Sequence, residues 1–208
     1  MARYIGARCK VCRRESVKLF LKGERCYTKC PIDKTDTGKK GYIRSGPKKS
    51  EYAKRLREKQ RAKKYSGILE RQFRRYFHQA ERMKGLTGEN LLQLIEMRLD
   101  NIIRRMGFAS SQQMARQLVR HGHVKINDKC VNIPSCAVQP GDVISLSDAY
   151  KNNEMLKKTG EEISKKLQIP SWLEVQPDKL QGKILKHPSR EEMAIPVEEQ
   201  LIVELYSK

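Results

Sequence analysis

Apolar residues along this chain are spaced first for helices and then for strands. From Ser50, "SEYAKRLREKQRAKKY" opens on a capping serine with an acid in the first turn and then runs almost solidly charged. Beyond Gly67, Leu69, Phe73, Phe77 and Ala80 recur at helical intervals, with Arg71, Arg74, Arg75, His78 and Arg82 on the other faces. Thr87 is placed to cap a third helix, whose stripe continues through Leu91, Ile95, Leu99, Ile102 and Met106. Ser110 and Gln113 fit a capping box for a further helix that buries Met114, Leu118 and Val119.

The texture then changes. "HVKIND", "CVNIP" and "PGDVISL" are short runs rich in Val and Ile, separated by Asn-Asp and Pro-Gly turn signals, and predict a small, mainly antiparallel sheet. Leu156, Ile163 and Leu167 suggest a helix over 151–167, closed by Ile169-Pro170. "SWLEV", "GKILK" and "EEQLIVELYSK" fit strand or helix equally well, and no internal repeat is present.

Charge sharpens this picture. The 208 residues carry 44 Lys and Arg against 24 Asp and Glu, a formal charge of +20. Residues 1–95 hold 27 basic and 9 acidic side chains, whereas residues 96–208 hold 17 and 15. A first half this basic repels itself unless an anion neutralises it, which points to nucleic acid. No stretch approaches the ~20 apolar residues of a membrane span, and "MARYIGARCKVCRRES" lacks the apolar run of a secretory signal. Basic faces without a Trp, Phe or Leu wedge favour RNA over a membrane surface. The candidate phosphate contacts are Arg44, Lys48, Lys49, Lys54, Arg55, Arg57, Arg61, Lys63 and Lys64, then Arg71, Arg74 and Arg75.

Cys9, Cys12, Cys26 and Cys30 follow the spacing C-x2-C-x13-C-x3-C. Two thiolates from a C-x2-C knuckle and two from a second pair complete a tetrahedral shell for structural zinc, and neighbouring Lys10, Arg13, Arg14, Lys18 and Lys22 favour the thiolates. Disulfides, an iron–sulfur cluster and unpaired thiols are the alternatives. With four protein ligands such a site is closed rather than catalytic. Cys130 and Cys136 suit core packing better than ligation.

"ARQLVRHGHVKIND" sets His121 and His123 on either side of Gly122. Arg116, Arg120 and His121 fall in the last turns of a helix, Gly122 suits its left-handed stop, and His123 opens the strand that includes Lys125. These five polar side chains read as a recognition corner for RNA, rather than as a metal or catalytic pair. No P-loop, nucleophile elbow or H-E-x-x-H occurs, so no enzyme is predicted.

The stretch "RLDNIIRRMGFASSQQMARQLVRHGHVKIND" with "NIPS" and "PGD" resembles the RNA-binding domain of the fourth small-subunit ribosomal protein family. "ARYIGARCKVCRRES", "SGPKKSEYAKRLREKQRAKKYSGILERQFRRYF", "IPSWLEV" and "EEQLIVELYSK" extend the likeness over nearly the whole chain, to the bacterial form with four zinc-ligand cysteines. Two positions depart from the family pattern: Gln112 stands where Arg is frequent, and Asn127-Asp128 where Asn-Gly is.

The resemblance implies a structural protein of the cytoplasmic ribosome that binds a helix junction in the 5′ domain of small-subunit rRNA and nucleates assembly. It further implies neighbours including small-subunit proteins numbered five and twelve, proximity to mRNA where it enters the subunit, and a contribution to decoding accuracy, with no membrane and no small-molecule substrate. The expected fold is α+β. A zinc-binding amino-terminal lobe and basic arm span 1–45, and a basic helical domain spans 46–97, completed by 190–208. A small α/β RNA-binding domain spans 98–189, with its core motif in 98–160.

Overall fold

In the computed structural model, residues 4, 6–33, 50–147, 150, 169–177, 179–193 and 195–207 are described. The expected helix over 151–167 lies outside them, as do Arg44, Lys48 and Lys49. Helices α1 (Arg8–Glu15), α2 (Arg25–Thr28), α3 (Glu51–Tyr65), α4 (Glu70–Glu81), α5 (Thr87–Glu96), α6 (Leu99–Arg105) and α7 (Gln112–Arg120) precede strands β1 (Val124–Ile126), β2 (Lys129–Cys130), β3 (Val143–Leu146), β4 (Leu173–Gln176) and β5 (Gln181–Ile184), and helix α8 (Glu199–Tyr206) follows. The chain is α+β. It divides into two compact units, Met1–Leu91 with Ile195–Lys208, and Leu92–Ala194.

In the first unit the helices form because their caps and apolar faces agree. The Ser50 hydroxyl accepts from the Ala53 amide at 3.3 Å, with Glu51 in the first turn and Lys63 and Lys64 in the last. Helix α4 starts at Glu70, so Leu69 stands at its N-cap and is exposed, not buried in the stripe. Phe73, Phe77 and Ala80 are buried, and the Tyr206 ring of α8 stacks on Phe77 with centroids 4.4 Å apart. Ile202 is wholly buried, and α8 packs on α3. "EEQLIVELYSK" is therefore a helix, decided by its docking rather than by its own apolar spacing.

In the second unit an antiparallel sheet of order β2-β1-β3-β5-β4 carries its core on one face. Val124, Ile144, Leu146, Leu173 and Ile184 meet Ile102, Ile103, Leu118, Val119 and Trp172 there. "SWLEV" and "GKILK" thus contribute strands, fixed by pairings such as Leu173 with Ile184. The first amides of α6 are satisfied from a distance: Leu99 N–H donates to the Cys136 carbonyl (2.9 Å) and Asp100 N–H to the Pro134 carbonyl (3.2 Å). That contact explains why Arg-Leu-Asp and Asn-Ile-Pro-Ser occur together. Helix α7 is capped by Ser111, whose hydroxyl accepts from the Met114 amide, rather than by the expected Ser110–Gln113 box.

The hairpin between β1 and β2 turns on two residues. Asn127 and Asp128 both adopt positive φ, 46° and 65°, the geometry that Asn-Gly usually supplies. Asn127 is held from both ends of its amide: Nδ2 donates to Asp142 Oδ1 (2.8 Å) and Oδ1 accepts from the Val143 amide (3.0 Å). The tight turn forms without glycine because Asp142 of "PGD" anchors it.

Candidate nucleic-acid interface and cysteine cluster

Helix α1 carries Cys9 and Cys12, α2 carries Cys26, and Cys30 follows two residues later; all four line one small cavity beside Lys18 and Lys22. Cys12, Cys26 and Cys30 are buried and Cys9 half-buried. The Lys22 amide donates to Cys26 Sγ at 3.3 Å. Burial pushes the Cys12 thiol above its ordinary range, against a backbone hydrogen bond from Leu19, and the other three sulfurs push the same way as burial. Cys26 is raised likewise, by burial first, with the Lys22 amide opposing and Cys30 and Cys9 adding to it. All six cysteines are free thiols. Among the described residues, no group of three or more His, Cys, Asp or Glu side chains stands in metal-holding geometry. Four protonated thiols have no reason to close to bonding distance, since ligation requires thiolates. The donor set, four sulfurs facing one cavity with amide donors on two of them, fits a closed tetrahedral centre.

The basic residues separate into two groups. Arg55 Nε lies 2.7 Å from Glu204, Lys63 Nζ 2.8 Å from Glu70, and Arg61 is paired with the buried Glu58. Lys64 reaches the buried Glu15 at 2.5 Å, and Arg116 lies 3.4 Å from the buried Asp100, which also binds Arg98 through both carboxylate oxygens. These heads are held inside the protein. Arg57 is half-buried. Arg71, Arg74 and Arg75 are exposed, as is His78, and their i, i+3, i+4, i+7 spacing sets them in one row on α4, away from Phe73 and Phe77. Arg74 also touches the Tyr206 hydroxyl.

The second group sits where α7 ends. Gly122 has φ 74°, its amide donates to the Val119 carbonyl (3.0 Å), and the His123 amide donates to the Leu118 carbonyl (3.1 Å). This Schellman stop turns the chain from helix to strand. Arg120 and His121 are exposed, His123 and Lys125 half-buried, and the two imidazole centroids are 6.0 Å apart and tilted. Tyr150 stacks on His123 at 4.7 Å, and burial raises its phenol pKa. No local pattern in the sequence marks Tyr150 as part of this corner. Cys130 is exposed rather than in the core, its thiol donating to the Gly122 carbonyl at 3.2 Å, and Gln112 is buried rather than presented as a surface contact.

Two family descriptions match the chain in series: Ribosomal protein S4/S9 N-terminal domain over residues 3–96, and S4 domain over residues 97–144. Small ribosomal subunit protein uS4 of Thermodesulfovibrio yellowstonii is 52% identical over 211 residues, covering all of both chains. The uS4A protein of Symbiobacterium thermophilum is 51% identical and that of Thermoanaerobacter sp. (uS4) 50%, again over 100% of each. The chain belongs to the uS4 family. Members of that family are structural ribosomal proteins, and this chain is one of them rather than an enzyme. Its S4 domain match contains α6, α7 and the β1–β2 hairpin, the elements that build the His121–His123 corner.

Proposed function

We propose that this uS4 protein grips a helix junction in the 5′ domain of small-subunit rRNA and helps nucleate assembly there. Family membership already makes it a structural, rRNA-binding constituent of the small subunit, at work in the cytoplasmic ribosome. The finer reading rests chiefly on the row of Arg71, Arg74 and Arg75 along α4. Arginines exposed in register along one helix match successive phosphates, while the opposite side of that helix is locked by Phe73 and Phe77. Arg120, His121, His123 and Lys125 supply the second grip, and Arg57 the edge of the first. Arg55, Arg61, Lys63 and Arg116 act through the scaffold, holding the helices that present these contacts. Proteins numbered five and twelve, and mRNA near its way into the subunit, are the proposed neighbours, with an influence on decoding accuracy.

Competition at physiological salt tests the reading. Binding to a 5′-domain junction should persist in an excess of bulk RNA, and equal competition by the two RNAs would overturn it.

Cys9, Cys12, Cys26 and Cys30 are proposed to hold one structural Zn2+, which when bound cross-links α1 to the Cys26–Cys30 segment. The support is the donor set: four sulfurs on one cavity in a lobe with few other buried residues. Metal analysis of the purified chain should return one zinc, and Cys9→Ser with Cys12→Ser should abolish it and unfold residues 6–33. Iron with a visible charge-transfer band, or full zinc in the double variant, would refute the assignment.

A further inference from the structure

A cleft of about 410 Å3 opens between α1 and the α3–α4 elbow, separate from the cysteine cavity and from the α4 arginine row. Its size falls within the roughly 300–1,000 Å3 of small-ligand sites. Arg8, Lys10, Arg14, Lys63 and Lys64 line it, and no acidic side chain does. Lys63 and Lys64 are already fixed, by Glu70 and by the buried Glu15, so part of the positive rim is rigid before any ligand arrives. Lys10 and Arg14 are exposed at the mouth. The floor is of the opposite character. Val11, Leu21 and Ile68 are buried there, Leu69 is an exposed apolar side chain at the wall, and the Tyr4 ring stands at the edge under the Arg8 guanidinium.

A bare phosphate would leave the apolar floor unused, and an apolar ligand would leave five cations unneutralised. The geometry points to a single nucleotide, its phosphate on the Lys10–Arg14 rim and its base over Ile68 and Leu69 against Tyr4. Such a nucleotide has two sources: one turned out of the bound RNA strand, or a free nucleoside diphosphate. The first rests on the RNA-binding reading and deepens it; the second does not depend on it.

Ultraviolet cross-linking of the full chain to a 5′-domain rRNA fragment, with peptide mapping, tests the first source, and calorimetric titration with ADP tests the second. Two variants accompany the wild type. Lys10→Gln with Arg14→Gln removes exposed charge only. Leu69→Ser removes the apolar wall at a position where serine improves the helix cap, so α4 is preserved. The expected result is a nucleotide cross-linked within residues 4–14 or 60–69, reduced about fivefold or more in both variants, with cross-links at the His121–His123 corner unchanged. ADP binding weakened as much by both variants, with no RNA cross-link in the cleft, assigns the site to a free nucleotide. Corner cross-links without cleft cross-links, together with no ADP binding, overturn the inference and leave the rRNA reading standing. No RNA cross-link anywhere removes that reading, and the ADP titration alone then decides the cleft.

Discussion

Glu70 gathers three partners: Lys59 and Lys63 donate to it at 2.8 Å each, and the Tyr206 hydroxyl at 3.1 Å. Burial alone would raise its carboxyl, but the two ammonium groups outweigh that and hold it at about 2, against 4.5 ordinarily. Burial and the Glu70 charge push the Tyr206 phenol well above its usual range. A carboxylate depressed in the folded state contributes stability above its unfolded pKa, and loses it as pH falls through the folded value. Glu70→Gln should therefore cost about 1 kcal/mol at neutral pH, after discounting for a side chain 37% exposed. In urea titrations the gap between wild type and variant should be constant above pH 4.5 and close towards pH 2; a gap independent of pH would contradict the ion pairs. Nothing in the sequence reveals this cluster, because its members come from α3, α4 and α8 and meet only when the last helix docks. Asn127 and Asp128 are the opposite case: both residue types tolerate positive φ, so a turn was legible, although its anchor on Asp142, 15 residues away, was not.

At the scale of elements, the corner depends on how α7 stops. Gly122 at φ 74° is the position where an L side chain is strained, and a Cβ there would meet Cys130 Sγ only at an ordinary 3.6 Å. The cost of Gly122→Ala is thus conformational rather than steric, about 1–2 kcal/mol. Denaturation should show that loss, and junction affinity should fall further, because Arg120, His121 and His123 are aimed by the same turn. Unchanged affinity in a folded Gly122→Ala protein would remove the corner from the interface. This stop was legible from His-Gly-His after an amphipathic run, and so was the face of α4, where aromatic and arginine positions alternate with helical period. The carboxy-terminal helix was not. Leu201, Ile202, Val203 and Leu205 are nearly consecutive and carry no period, and only the docking of Ile202 and the stacking of Tyr206 on Phe77 choose helix. The four cysteines were legible as a set from spacing, while the amide hydrogen bonds that support two of them depend on the backbone path between the pairs.

For the whole molecule, a charge of +20 says that an anion is bound but not which cations bind it. Sequence spacing treats Arg55, Arg57, Arg61, Arg71, Arg74 and Arg75 as one basic band. The fold divides them, because carboxylates on α3 and α8 hold Arg55 and Arg61, whereas the α4 row is exposed. The two sets should respond differently to salt. Removing one cation from a phosphate lowers the slope of log affinity against log salt by about 0.7–0.9. Arg71→Ala with Arg75→Ala should therefore flatten the slope by about 1.5–2 while leaving thermal stability nearly unchanged. Arg55→Ala with Arg61→Ala should lower stability, since it leaves the buried Glu58 without its guanidinium, and should shift the slope by less than the α4 pair. Filter binding to the same junction RNA across a salt series, beside melting curves for both variants, separates these effects. Equal slope changes in the two variants would mean that the Glu58 and Glu204 ion pairs open when RNA binds, and the division between scaffold cations and RNA-facing cations would fail.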